Sequence, residues 1–350
     1  MKRIVLSIFV LAFALGSMPV ELLAQTGGGA LPYQRIGANP RILAIGNAYV
    51  AGSSLGIYPQ FNPAHASQGY HNQIDLSGAI MSFDRNLASA SVTFPLPPKA
   101  GLHLAATYAG VNNFEGRSPS GYYTESFSTH DLQLSATFGI RLNDKLFLGT
   151  TARFLTARYN PDIPAPVSFG VDIGFRYILN ENTSLGFAIQ DLLSELTWDT
   201  QDLYNTAGSI QQKDTLPTRL KLGIQHLLPI PTLTLFAEAE HRIQSAQTYE
   251  IGSDLDLGRP VTRIRTSTEN FTSQFVRIGL SWEAHERLAL RGGWQSGDTE
   301  FIGISQRFSG GFSIKLPFDQ YRPEIDYAIM REPQGVAWIN MFAIRLHLND

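Results

Sequence analysis

The chain has 350 residues, a net charge of -3 from 27 basic and 30 acidic side chains, and no cysteine. That balance argues against a nucleic-acid or anionic-surface partner, and the missing cysteines exclude a disulfide scaffold. Only 16% of residues are charged, while 11% are aromatic and 31 are glycine. This is too little charge for an ordinary soluble domain, yet no apolar run after residue 24 is long enough to cross a bilayer as a helix.

In chain order, Lys2 and Arg3 precede an apolar run from Ile4 to Leu15, with a small residue at Ala24. Residues 1–24 therefore read as a secretory signal peptide. Residues 25–73 show no period of two and are rich in glycine, including the stretch GANPRILAIGNAYVAGSSLGIYPQFNPAHAS from Gly37 to Ser67. From residue 74 to the end the pattern changes to alternation. Along 130–140, Leu132, Leu134, Ala136, Phe138 and Ile140 share one face, opposite Asp131, Gln133, Ser135, Thr137 and Gly139. Along 166–179, Val167, Phe169, Val171, Ile173, Phe175, Tyr177 and Leu179 oppose Ser168, Gly170, Asp172, Gly174 and Arg176. The pattern recurs along the chain and gives about fourteen strands of roughly ten residues, the length that crosses a bilayer when tilted. Phe154, Tyr177, Trp282, Trp294 and Trp338 fall near strand ends, as an interfacial girdle requires.

The fold class expected is all-β: a transmembrane antiparallel up-and-down barrel of about 14 strands over 74–350, with 25–73 as a hatch in its lumen. Connections expected on the outside are long, at 110–129, 191–215 and 243–273, and those on the inside are short turns. Arg153, Asp172, Arg176, Arg219, Lys221, Glu238, Glu240, Arg287, Arg291, Arg322, Glu324 and Asp326 are expected in the lumen, paired across the wall and with the hatch, because an unpaired buried charge is costly.

The hatch segment resembles the FadL-type superfamily of outer-membrane barrels, and more particularly the PorV/PorQ branch associated with type IX secretion. The matching positions are Arg41, Ala44, Gly46, Ala48, Tyr49, Val50, Ala51 and Asn62-Pro63-Ala64; Gly46-Asn47 stands where the group has paired glycines. The resemblance implies a hatch folded into the lumen with Asn62-Pro63-Ala64 near the wall, as a folding turn or as part of a gate. It implies location in a cell outer membrane, in contact with its lipid.

Eight histidines show no metal spacing, and no Ser-His pair stands in a nucleophile context, so no catalytic residue, metal or cofactor is expected. Two functions remain. The resemblance to PorV/PorQ implies a binding and shuttle module for secreted proteins with a C-terminal sorting domain, held by the outer loops through Tyr122, Tyr123, Phe127, Trp198 and Tyr204. The alternative is a FadL-like transporter that passes a hydrophobic small molecule past the hatch and sideways through the wall. A transporter predicts an apolar path from the loops; a shuttle predicts a sealed lumen and an exposed apolar ledge.

Overall fold

The structure, a computed structural model, describes residues 30–348 apart from 70, 200–210, 231, 257–258, 300–302, 319–320 and 333–336. The signal-peptide expectation for 1–24 lies outside these residues. Sixteen strands follow one another: β1 Asn72–Ile80, β2 Arg85–Leu96, β3 Ala100–Arg117, β4 Tyr123–Arg141, β5 Leu146–Arg158, β6 Val167–Asn180, β7 Thr183–Leu192, β8 Glu195–Asp199, β9 Gln211–Thr215, β10 Thr218–Leu227, β11 Leu233–Asp256, β12 Arg259–His285, β13 Leu288–Thr299, β14 Gly303–Lys315, β15 Glu324–Arg331 and β16 Trp338–Leu348. Fourteen close into a barrel in sequence order, with β1 antiparallel to β16 from Asn72↔Leu348 to Ile80↔Asn340. The other two, β8 and β9, form a separate hairpin between β7 and β10.

Closure removes every free sheet edge, and the alternation then sorts side chains outward or inward. The outer face is an apolar band, with Phe138, Phe169, Ile173, Leu222, Phe308 and Phe342 among its exposed members. The inner face is buried and carries the charges. Two ends are distinct. Short connections such as 97–99, 181–182 and 286–287 join strands at one end, and long hairpins rise at the other.

Two expectations are corrected. The spans 110–129 and 243–273 are not loops: β3 and β4 run on to Arg117↔Tyr123, and β11 and β12 stay paired to Asp256↔Arg259. In β3 and β4 this part is largely exposed on both faces, which removes the need to alternate while leaving the backbone ladder intact. Arg322 is not a lumen charge, because it falls between strands and is exposed; Arg287 is exposed in a turn and borders the lumen only at its rim, lining one space with Arg291 and Glu324.

Candidate functional site

Residues 30–69 fill the barrel interior, and local sequence explains their path. Asn39 caps a five-residue helix, α1 (Pro40–Ala44), its side chain accepting from the Arg41 amide at 3.0 Å with Pro40 at the first helical position. Beyond it the chain turns at Gly46, whose φ of +67° favours glycine and where an added Cβ would lie 3.0 Å from the Trp294 carbonyl oxygen. A short 3-10 turn, Pro63–Gln68, repeats the capping device: Asn62 Oδ1 accepts from the Ala64 amide at 3.0 Å.

Wall side chains peg this hatch in place. Glu238 accepts from the Tyr49 and Val50 amides, both at 2.9 Å. The Asn62 amide group donates to the Val50 carbonyl at 2.6 Å and to the Phe175 carbonyl of β6 at 3.0 Å. Ser309 donates to the Ala44 carbonyl and Ser77 to the Ala38 carbonyl. Arg41 forks to Glu324 and to Asp326, the latter at 2.8 Å, and donates to the Leu55 carbonyl at 3.1 Å. Burial opposes its charge, but Asp326 and Glu324 more than offset this and hold its pKa above the ordinary value.

Between the pegs the wall is made of glycine. Gly101, Gly139, Gly149 and Gly174 are register partners in a row across β3 to β6; Gly186 faces Gly223, and Gly279 faces Gly293. A Cβ on any of these eight would come within 2.7 Å of a hatch atom, including 1.9 Å from the Ala66 carbonyl, 2.2 Å from that of Pro63 and 2.1 Å from that of Val50. Hatch backbone therefore presses directly on wall backbone around most of the circumference. Alternation shows these glycines only as members of the polar face; the cross-strand register that lines them up becomes visible only in the fold.

His65 is fully buried, with Nδ1 at 3.1 Å from the Tyr58 carbonyl and its ring edge-on to Tyr49. Nε2 has no partner. Burial, then the nearby Arg176, lowers its pKa from 6.5 to about 3. The unfolded hatch thus takes up a proton that the docked one refuses, so docking is complete above pH about 6.5 and weakens toward pH 3, by about 1.4 kcal/mol per pH unit. Deuterium exchange across 61–67 should accelerate as pH is lowered from 7 to 4 beyond the intrinsic trend, and H65F should flatten that excess. An excess unchanged in H65F assigns the acid response to another group.

Above and below the hatch backbone the lumen is ionic. Arg153 pairs with Asp172 and with Asp191 at 2.8 Å, and Arg219 with Asp191 at 2.5 Å. Glu238 and Glu240 hold Arg277 at 2.9 and 2.7 Å, and Glu240 also holds Arg242 and Lys221. A space of about 60 Å³ on the hairpin side, lined by Gln34, Arg219, Lys221 and Arg277 among others, has room for about two waters.

Toward the hairpins the inner face changes character. Leu87, Leu155, Leu196, Leu216, Met330, Ile339 and Met341 form a buried apolar layer around Leu31 and Tyr33 of the hatch. Leu196 enters from β8 and Leu216 from just beyond β9, and this hairpin folds inward so that the Glu195 amide donates to Ser168 at 2.9 Å.

Of the expected loop residues, Tyr122 and Tyr123 are 76% and 58% exposed. Phe127 stacks on Phe114 at 5.5 Å. Trp198 stacks on Tyr159 at 5.0 Å, donates to Asp214 at 2.8 Å and packs against the apolar layer. Tyr204 lies outside the described residues. The four described residues are not brought together: Tyr122, Tyr123 and Phe127 belong to the β3–β4 hairpin and Trp198 to the layer below.

No protein-family model and no curated protein matches the chain. Solved structures do. The CymD monoaromatic hydrocarbon channel superposes with a TM-score of 0.58 at 12% identity, over 89% of this chain and 97% of its own. The Pseudomonas putida toluene transporter TodX superposes at 0.55 and 14%, over 94% and 98%, and a Pseudomonas aeruginosa FadL homologue at 0.56 and 10%, over 87% and 97%. The likeness is one of fold: a closed fourteen-stranded antiparallel barrel, shared along most of both chains.

Proposed function

We propose that the chain is a FadL-like transporter of hydrophobic small molecules, lying in outer-membrane lipid with its hairpins outward. The observation that carries this reading is the apolar layer between the β8–β9 hairpin and the ionic floor. Leu155, Leu196, Met330 and Ile339 have 0% exposure, so the layer is closed, and a hydrophobic molecule arriving from outside enters it by displacing Leu31 and Tyr33. It cannot continue through the lumen, because desolvating the paired charges beneath costs several kcal/mol for each ion. Exit is therefore sideways. The folds shared with a toluene transporter and a monoaromatic hydrocarbon channel support the same class of ligand.

The PorV/PorQ shuttle reading, in which the hairpins would capture a secreted protein's sorting domain, has less behind it. It needs a broad apolar ledge, and Phe127 and Trp198 are engaged within the barrel's own structure.

Naphthalene uptake by cells expressing the chain tests the proposal. Uptake should exceed that of vector controls several-fold. Leu196→Asp, which sets a charge in the apolar layer, should abolish at least nine-tenths of the gain. Lys213→Gln, which removes an exposed pair with Glu195 on the same hairpin, should leave it unchanged. Uptake equal to the vector control, or undiminished in L196D, defeats the reading.

A further inference from the structure

We propose that the turn end of the barrel holds a binding site for a small organic carboxylate, on the opposite side of the hatch from the apolar layer. A chamber of about 260 Å³ opens there, bounded by the hatch loop 53–56 and the ends of β12 to β16. At roughly 30 Å³ for each water of the liquid, 260 Å³ is the volume of about nine waters, room for a small organic acid.

Five cations line the chamber against two carboxylates, Glu283 and Glu324. Two of the five are already committed. Arg41 is held by Glu324 and Asp326, and Arg345 donates through Nε to Asp75 at 2.9 Å and through Nη1 to the Leu55 carbonyl at 3.0 Å. The other three, Arg287, Arg291 and Lys315, have no carboxylate within 4 Å among the described residues, so even with Asp75 and Asp326 behind the lining the cations are in excess. Arg291 is buried, yet its only bond among the described residues is from Nη1 to the Ser313 hydroxyl, which relays it to Asp326. Among the described residues its Nε, and Nη2 of Arg345, are buried donors with no partner. Both guanidiniums that line the chamber thus have unused donor capacity, the condition that a planar carboxylate relieves by accepting two hydrogen bonds at once.

Leu55, Leu288 and Ala289 line the same space, so the ligand has an apolar body behind its acid group. That separates an organic carboxylate from inorganic phosphate. Lys315 and Arg287 are exposed and stand at the mouth, where long-range attraction raises the rate of capture. The site does not depend on the transport reading, since it lies beyond the hatch from the entry proposed above.

Calorimetry with the full-length barrel in detergent tests the assignment with three probes: benzoate, acetate and inorganic phosphate. Benzoate should bind saturably with one site, at least tenfold tighter than either of the others, and weaken several-fold between low and physiological salt. Arg291→Gln should weaken benzoate at least tenfold. Lys315→Gln, at an exposed position where folding is not at stake, should weaken it about threefold, while Lys145→Gln at another turn should change nothing. Each variant is first checked for heat-dependent gel mobility, so that loss of binding is read on a closed barrel. The proposal is overturned if benzoate shows no saturable binding, if phosphate or acetate binds as tightly, or if R291Q and K315Q both bind benzoate as the unmodified chain does.

Discussion

Gly149→Val opens the lumen while leaving the wall intact. The new Cβ would lie 2.2 Å from the Pro63 carbonyl oxygen, 2.3 Å from its carbon and 2.7 Å from the Ala64 amide nitrogen, all backbone atoms of the hatch. No rotamer relieves a Cβ clash, and the Pro63–Gln68 turn is fixed by its Asn62 cap and by the bond from Asn62 to the Phe175 carbonyl, so the turn must leave the wall. The strand itself gains, because valine suits a pleated sheet better than glycine does. Single-channel recording in planar bilayers should therefore show stable conductance in G149V and near silence in the unmodified protein, with heat-dependent mobility of the barrel unchanged or slightly raised. Gly292→Val is the matched control. A Cβ there meets nothing within 4 Å, and it should remain silent. Equal silence in G149V would show that the glycine strip has slack and that the hatch is held by its polar pegs alone.

The contrast between these glycines also shows what the sequence could convey. Leu132 to Ile140 and Val167 to Leu179 are legible because apolar surroundings on one side and a polar interior on the other impose a period of two. Where both faces are wet, as from Phe114 to Arg117, the period disappears although pairing with Tyr123 to Phe127 continues, and the segment reads as loop. Gly139 and Gly174 are visible in sequence as polar-face members, but their alignment with Gly101 and Gly149 depends on register between strands, which no single strand encodes. The NPA motif could be found, while its seat against Gly149 and Gly174 could not. The same limit hid the partners of Arg41, which lie 283 and 285 positions away. It also hid the anion chamber, assembled from the hatch and five strands.

Arg41→Ala should be the most damaging substitution in the hatch. Removal of the guanidinium leaves Glu324 and Asp326, buried on the same face of one strand end, with their common cation gone and with Arg345, 3.8 Å from Glu324, as compensation. Breaking a buried pair from one side costs about 3–5 kcal/mol, because the remaining charge is neither hydrated nor neutralised. The Leu55 carbonyl also loses one of two donors, which loosens the loop on which the chamber is built. Arg41→Lys keeps the charge but not the fork that reaches two carboxylates and a carbonyl at once, so its effect should be intermediate. Protease accessibility of residues 40–58 in the intact barrel and bilayer conductance report the outcome: both should rise strongly in R41A and partially in R41K. The triple change R41M/E324Q/D326N, which removes the charges from both sides, should recover most of the protection. If the triple variant is as accessible as R41A, the loss comes from the packing of Arg41's long side chain instead of its charge, and the ionic account of how the hatch is anchored fails.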